Sequence, residues 1–123
     1  MLVAVTEIPA TGDAREVLVN PNGVAYVAPL PQGRRCKAYI KLMGSDDKIG
    51  VDKSVKEIIA SFQLDVVLLS YFDSFERPSF DNALYGVVCE NIRNVKPFGS
   101  CFEVCFKDGS SLPVRNVDLL SGK

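Results

Sequence analysis

The sequence predicts a mainly β protein of the α+β kind. The expected form is a small antiparallel barrel or a strongly bent sheet, SH3-like or Sm-like, with one capped helix at an end. Three observations carry this. Short runs of strand formers recur along the chain, separated by Gly, Pro, Asn and Asp turns. Cys36 to Met43 alternates cleanly: Cys36, Ala38, Ile40 and Leu42 point one way, and Lys37, Tyr39, Lys41 and Met43 the other. Only after Ser54 does the period change to that of a helix, with Val55, Ile58, Ile59 and Phe62 at i, i+3, i+4 and i+7.

Taken in order, Leu2 to Ile8 is strand-like, and 9–14 is a polar loop. Glu16 to Asn20 is a strand closed by the turn Pro21-Asn22-Gly23, and Val24 to Ala28 is the next strand. The alternating strand 36–43 follows, then the turn Gly44-Ser45-Asp46-Asp47 and a short return strand from Lys48 to Val51. Ser54 with Glu57 three residues on is a capping-box pattern, which fixes the helix start. Asp65 to Tyr71 reads as a buried strand, since it is a short continuous apolar run. Residues 72–82 form a long loop holding Phe72, Phe75 and Phe80. Ala83 to Cys89 is a strand, and Phe102 to Val114 is a hairpin turning at Lys107-Asp108-Gly109.

Two passages, 15–62 and 83–120, share an order of asparagine turn, strand, Gly-containing turn, Cys-bearing strand and short closing strand. They are either degenerate halves of one β-meander repeat or two hairpins with common turn chemistry. No linker separates them, so a single domain over 1–123 is expected.

Composition excludes several function classes. The chain of 123 residues is 47% apolar, ordinary for a globular domain. Fourteen basic residues against 15 acidic give a net charge of −1, so any anion site is a local patch and not a global field. No apolar run reaches the roughly 18 residues of a membrane span. The first residues lack the basic region of a signal peptide, so a cytoplasmic location and reduced thiols are expected. The absence of histidine removes Ser-His-Asp and Cys-His catalysis. Cys36, Cys89, Cys101 and Cys105 contain no C-x-x-C pair, and the last two lie about 13 Å apart along a strand, so no metal site is expected. No cofactor is implied, and the chain is not expected to be an enzyme.

Val17 to Pro21, Val24, Val27, Ile40 to Gly44 and Val51 to Ile58 resemble the FlbD-like small β modules of flagellar accessory proteins. The shared pattern is an Asn, spaced hydrophobics, a Gly turn and Ser-Val-x-Glu-Ile leading into a helix. The resemblance implies a three-strand-plus-helix unit and a protein–protein adaptor role. By type alone, the chain is similar to phage-encoded sponges that capture cyclic nucleotide signals of Thoeris defence.

The candidate site is cationic. Arg35, Lys37 and Lys41 surround Tyr39 on one strand, with Arg34 at its mouth. Such a set suits a phosphate and a base, by charge-assisted hydrogen bonds and stacking. The plain alternative is a solvated strand face with lysine stems over Tyr39. Arg93 beside Asn94, Arg115 beside Asn116, and Phe75 complete the candidate set. The expectation is a homo-oligomeric, phage or mobile-element binding protein that sequesters a small anionic nucleotide against host defence. The alternatives are an adaptor or inhibitor of flagellar or host-regulator type, and an Sm-like RNA-binding module.

Overall fold

The computed structural model describes residues 2–30, 35–70 and 84–115. Ten strands and one α-helix make up these residues. The strands are β1 (Val3–Glu7), β2 (Arg15–Val19), β3 (Val24–Pro29), β4 (Ala38–Leu42) and β5 (Lys48–Val51). After α1 (Val55–Ala60) come β6 (Val66–Ser70), β7 (Leu84–Val88), β8 (Ile92–Phe98), β9 (Cys101–Phe106) and β10 (Ser111–Val114). The expected loop at 72–82 and the closing residues 117–120 lie outside the described residues.

All pairings are antiparallel. Seven strands form one sheet in the order β2-β1-β5-β4-β3-β7-β6, and the other three form a second sheet, β10-β9-β8. The described residues are therefore mainly β with one α-helix, as the sequence predicts. Of the two expected forms it takes the bent sheet, since neither sheet closes into a barrel among the described residues. The bending follows from chain length. Strand β2 lies four strand steps from β3, about 19 Å across a flat sheet. Four residues, five residue steps, connect Val19 to Val24, at most about 17 Å when extended. A 3₁₀ turn at Pro21–Gly23 shortens that reach further. The sheet must curl to let the chain through, which brings Val5 and Val19 into one apolar cluster with Val24 and Val27.

The curled inner face is closed by α1. Ser54 caps it, accepting from the Glu57 N–H at 3.2 Å while the Glu57 carboxylate accepts from the Ser54 N–H at 3.0 Å. Val55, Ile58 and Phe62 are buried against Ala38, Ile40, Val51 and Val88. Phe62 belongs to the predicted apolar stripe but lies beyond the helix, which stops at Ala60. Ser61 caps it by donating its hydroxyl to the Ile58 carbonyl at 2.6 Å. The chain then reverses at Gln63, whose φ of 57° is left-handed. Gly86 lets the helix lie close: a Cβ there would stand 2.7 Å from Ile59.

The three-stranded sheet covers the opposite face of the large sheet. Ala25, Tyr26, Ala28, Val67, Leu69 and Val87 form a second cluster with Val104, Phe106, Leu112 and Val114. A buried asparagine ties the sheets together. Asn91, in a 3₁₀ turn at Cys89–Asn91, donates both side-chain hydrogens to the carbonyls of Asn22 at 2.8 Å and Val24 at 2.7 Å. Alanine at position 91 leaves two carbonyls unpaired, one of them buried. Asn91→Ala is expected to cost about 1–3 kcal/mol, and Ile58→Ala about 2–5 kcal/mol, in urea unfolding. A loss under about 0.5 kcal/mol for either, the level of a surface change, would remove that residue from the core account.

Candidate functional site

The structure disperses the cations expected to surround Tyr39. The alternation of β4 holds, with Ala38 and Ile40 in the helix-side cluster and Tyr39 against the other. But the face that Tyr39 occupies is covered by the second sheet. Tyr39 is half-buried, edge-on to Tyr26 at 6.4 Å between ring centres, with Lys48 Nζ 4.8 Å from its ring centre. Lys41 is buried and donates to the carbonyls of Leu42 at 2.8 Å and of Ser45. Arg35 points to the 9–12 loop, donating to Pro9 O at 2.7 Å, Ala10 O at 3.1 Å and Gly12 O at 2.8 Å. Lys37 lines an open cleft of about 260 Å³ with Pro29, Ser54, Val55, Lys56, Leu68 and Leu84, and Lys41 lines a separate one with Gly44, Ser45, Asp46, Asp108 and Ser110. Thus Arg35 and Lys41 serve backbone carbonyls, and the strand carries no joint array of cations. Arg34, Phe75 and Asn116 lie outside the described residues.

Lys41 belongs to a clasp between the turns of the two sheets. The Asp108 carboxylate, in the β9–β10 turn, accepts from the Gly44 N–H at 2.7 Å, the Ser110 N–H at 3.0 Å and the Ser110 hydroxyl at 2.6 Å. Partial burial pushes this carboxyl up. The Ser110 hydroxyl, the two N–H groups and the Lys41 charge outweigh that and bring its pKa down to about 2.

An exposed row remains on the edge strand β8, beside β9, whose outward Cys101 and Glu103 are half-buried and Cys105 buried. The β8–β9 hairpin closes on the pair Phe98 and Cys101 with the two-residue turn Gly99-Ser100. Gly99 has φ of 60°, as the first central position of a type II′ hairpin turn requires. Val95, Phe102, Val104 and Phe106 face the large sheet. The pairing puts Asn94 opposite Cys105 and Lys96 opposite Glu103, on the other face. Lys96 Nζ lies 3.4 Å from the Glu103 carboxylate. Arg93 sits at the irregularity between Ile92 and Asn94, exposed, and Arg115 follows β10, also exposed. Phe98 is 46% exposed at the hairpin tip. From Ile92 to Arg115 there are four basic and two acidic residues, in a chain that is net negative.

Of the sequence candidates, Arg93 and Arg115 fall on this sheet. Lys96 and the exposed Phe98 are not among the sequence candidates, and Asn94 enters the sequence reading only as the neighbour of Arg93. Their signal was the alternation of 94, 96 and 98 around Val95, which marks one solvent-facing row. Amide, ammonium, guanidinium and phenyl groups on one surface can hold phosphates and contact bases. Among the described residues no group of three or more His, Cys, Asp or Glu could hold a metal ion. The four cysteines form no disulfide.

No protein-family model matches the sequence, and no curated protein does. Among solved structures the chain is similar to the LytTr DNA-binding domain of a methyl-accepting/DNA response regulator from Bacillus cereus. The TM-score is 0.57 at 17% identity, over 91% of this chain and 85% of that one. At that identity the likeness establishes the fold, a small β fold of LytTr type. It contradicts the expectation of a phage-encoded, anti-defence nucleotide sponge, because the similar structure is a regulator's DNA-binding domain. The resemblance of 17–58 to the flagellar modules carries over only as a small β scaffold. No described helix is long and apolar enough to cross a membrane.

The Asp108 clasp generates a pH prediction. A folded-state pKa depressed below the ordinary carboxylate value adds stability that is complete above that value, near 3.8, and is lost as pH falls through about 2. Unfolding free energy is therefore expected to decline between about pH 4 and pH 2, and Asp108→Ala to lessen the decline. Equal pH profiles for the two proteins would show that the clasp does not couple protonation to folding.

Proposed function

We propose that the chain is a non-catalytic DNA-binding domain of regulatory type, working as a single domain in the cytoplasm. The observation that supports this best is the fold likeness over nine-tenths of the chain. The cationic β8–β10 sheet supplies a surface of suitable chemistry: Arg93, Lys96 and Arg115 for phosphates, Asn94 for a base edge. Near-neutral net charge predicts a modest affinity that depends on these local contacts. The reading includes paired copies. Strands β2 and β8 each have one neighbour among the described strands, and an open edge is a template for another chain.

The competing reading is a regulator that binds protein. One observation favours it: Leu18 is 60% exposed and Leu2 58%, on the outer side of the β1–β2 pair. Leu2 lies two residues before Ala4, the partner of Leu18.

Fluorescence anisotropy with a mixed-sequence duplex at 50 to 200 mM salt separates the two. Each phosphate contact contributes about −0.9 to the slope of log K against log salt, so three cations predict a slope near −3. Arg93→Ala, Lys96→Ala and Arg115→Ala are each expected to reduce it by about 1. Absence of duplex binding at the lowest salt would remove the DNA reading, and unchanged slopes would move the contact surface elsewhere. Light scattering of the same samples reads the oligomeric state.

A further inference from the structure

We propose that the free edge of β2 pairs with the same edge of a second copy of this chain, antiparallel about a two-fold axis at Leu18. The inference rests on the paired copies included in the reading above and assigns the edge that joins them. A strand edge accepts a further strand unless something blocks it, and proline, lysine, a bulge or a very short strand are the usual blocks. Three of the four sheet edges among the described residues suit a partner poorly. Strand β8 carries Lys96, Pro97 and the irregularity between Ile92 and Asn94. Strand β10 has four residues, one of them Pro113. Strand β6 buries Val67 and Leu69 under the second sheet and packs Val66 and Leu68 against the helix-side cluster, so none of these four is left for a partner.

Strand β2 has none of these blocks. It holds no proline, lysine or glycine, and its register with β1 runs unbroken from Arg15 to Val19. Among the described residues no backbone hydrogen bond reaches 15–19 from any strand but β1. The Arg15 charge is already met by Glu7 at 2.7 Å. Of the three exposed large apolar side chains among the described residues, two, Leu2 and Leu18, stand on the outer side of the β1–β2 pair.

Self-complementarity singles out the occupant and the register. With Leu18 opposite Leu18 of the second copy, Val17 stands opposite Val19 and Glu16 opposite Asn20. Apolar then meets apolar on both faces, leucines outside and valines inside, and no like charges are opposed. Asn20 continues the strand line, with φ of −88° and ψ of 110°. Its side-chain oxygen accepts from the Asn22 N–H at 3.1 Å, which leaves its NH₂ to donate to the Glu16 carboxylate across the axis. A slide of two residues either way sets Leu18 against Glu16 or Asn20 and loses the match. A second copy brings the identical edge, so one surface satisfies both sides.

The test uses the whole chain without DNA, so a failure of duplex binding leaves it standing. A single strand pair makes a small interface, so sedimentation velocity is run from about 1 to 300 µM, where weak pairing is visible. Wild type is expected to pass from monomer to dimer over that range. Leu18→Arg, which sets two guanidinium groups face to face on the axis, is expected to raise the dissociation constant at least about tenfold. Mild oxidation reads the register. Opposed residues of an antiparallel pair have Cα atoms about 4.5–5.5 Å apart, within disulfide reach, whereas Glu16 would stand about 14 Å from Glu16 of the second copy. Leu18→Cys is therefore expected to give a covalent dimer, and Glu16→Cys to behave as wild type. Circular dichroism confirms that the variants fold. A wild type that stays monomeric throughout, a dimer that Leu18→Arg leaves intact, or equal cross-linking at positions 16 and 18 overturns the proposal, the first leaving the two leucines to a different protein.

Discussion

Strand β3 is buried on both faces, and the two apolar clusters of the molecule depend on it. Val24 and Val27 project into the cluster under α1, and Ala25, Tyr26 and Ala28 into the cluster under the second sheet. Ala25 and Tyr26 are consecutive yet share a side, which strict alternation forbids. The pairing of β3 with β4 shifts register between Val24 and Tyr26, and that bulge rotates the strand. Tyr26 consequently reaches three aromatic neighbours: Tyr39, Tyr85 and Phe106. Substitutions on β3 act on both layers at once, and the asparagine tie at position 91 ends on the carbonyl of its first residue, Val24.

Double coverage also decides where function can sit. An antiparallel sheet commonly leaves one face to water, and a cationic outward face on β4 would then be a binding surface. Here the second sheet and the turns around Asp108 occupy that side. Lys41 would face a large desolvation cost if left unpaired, so it donates to two carbonyls. Arg35 closes the 9–12 loop in the same way with its planar donors. These side chains hold turns in place. The exposed cations that remain lie along the edge strand β8 and just after β10, while the outward side chains of β9 are covered, Cys105 to 5% exposure.

Much of the fold was legible because local chemistry and tertiary structure agree. The capping box at Ser54, the alternation at 38–43 and the inward set Phe102, Val104 and Phe106 appear as read, whereas Lys37 lies beside the helix start and not on the face of Tyr39. The partition into two sheets was not legible. Each hairpin announces its own pairing, but which hairpins stack on which is set by long-range burial that no local pattern encodes. The site followed from that gap. Arg93 and Arg115 were legible as exposed cations, whereas Lys41 carries the same sequence signature as an exposed lysine and is buried. Phe98 was hidden for the opposite reason, since in sequence it is one more apolar residue beside a hairpin turn.

Charge balance explains why such a surface can matter in a chain of net charge −1. Beyond roughly 8–10 Å at physiological salt, the acidic residues elsewhere are screened, so β8–β10 presents its local excess of positive charge. That excess is small, and within it Lys96 is shared with Glu103 at 3.4 Å. The Glu103 side chain is only 22% exposed, so a phosphate that takes Lys96 leaves a largely covered carboxylate without its cation. Few phosphate contacts mean weak sequence-independent binding. On the DNA-binding reading proposed above, selectivity rests on an uncharged contact, the amide of Asn94. On that reading, weak backbone affinity leaves the domain free to dissociate from sites that offer the amide nothing.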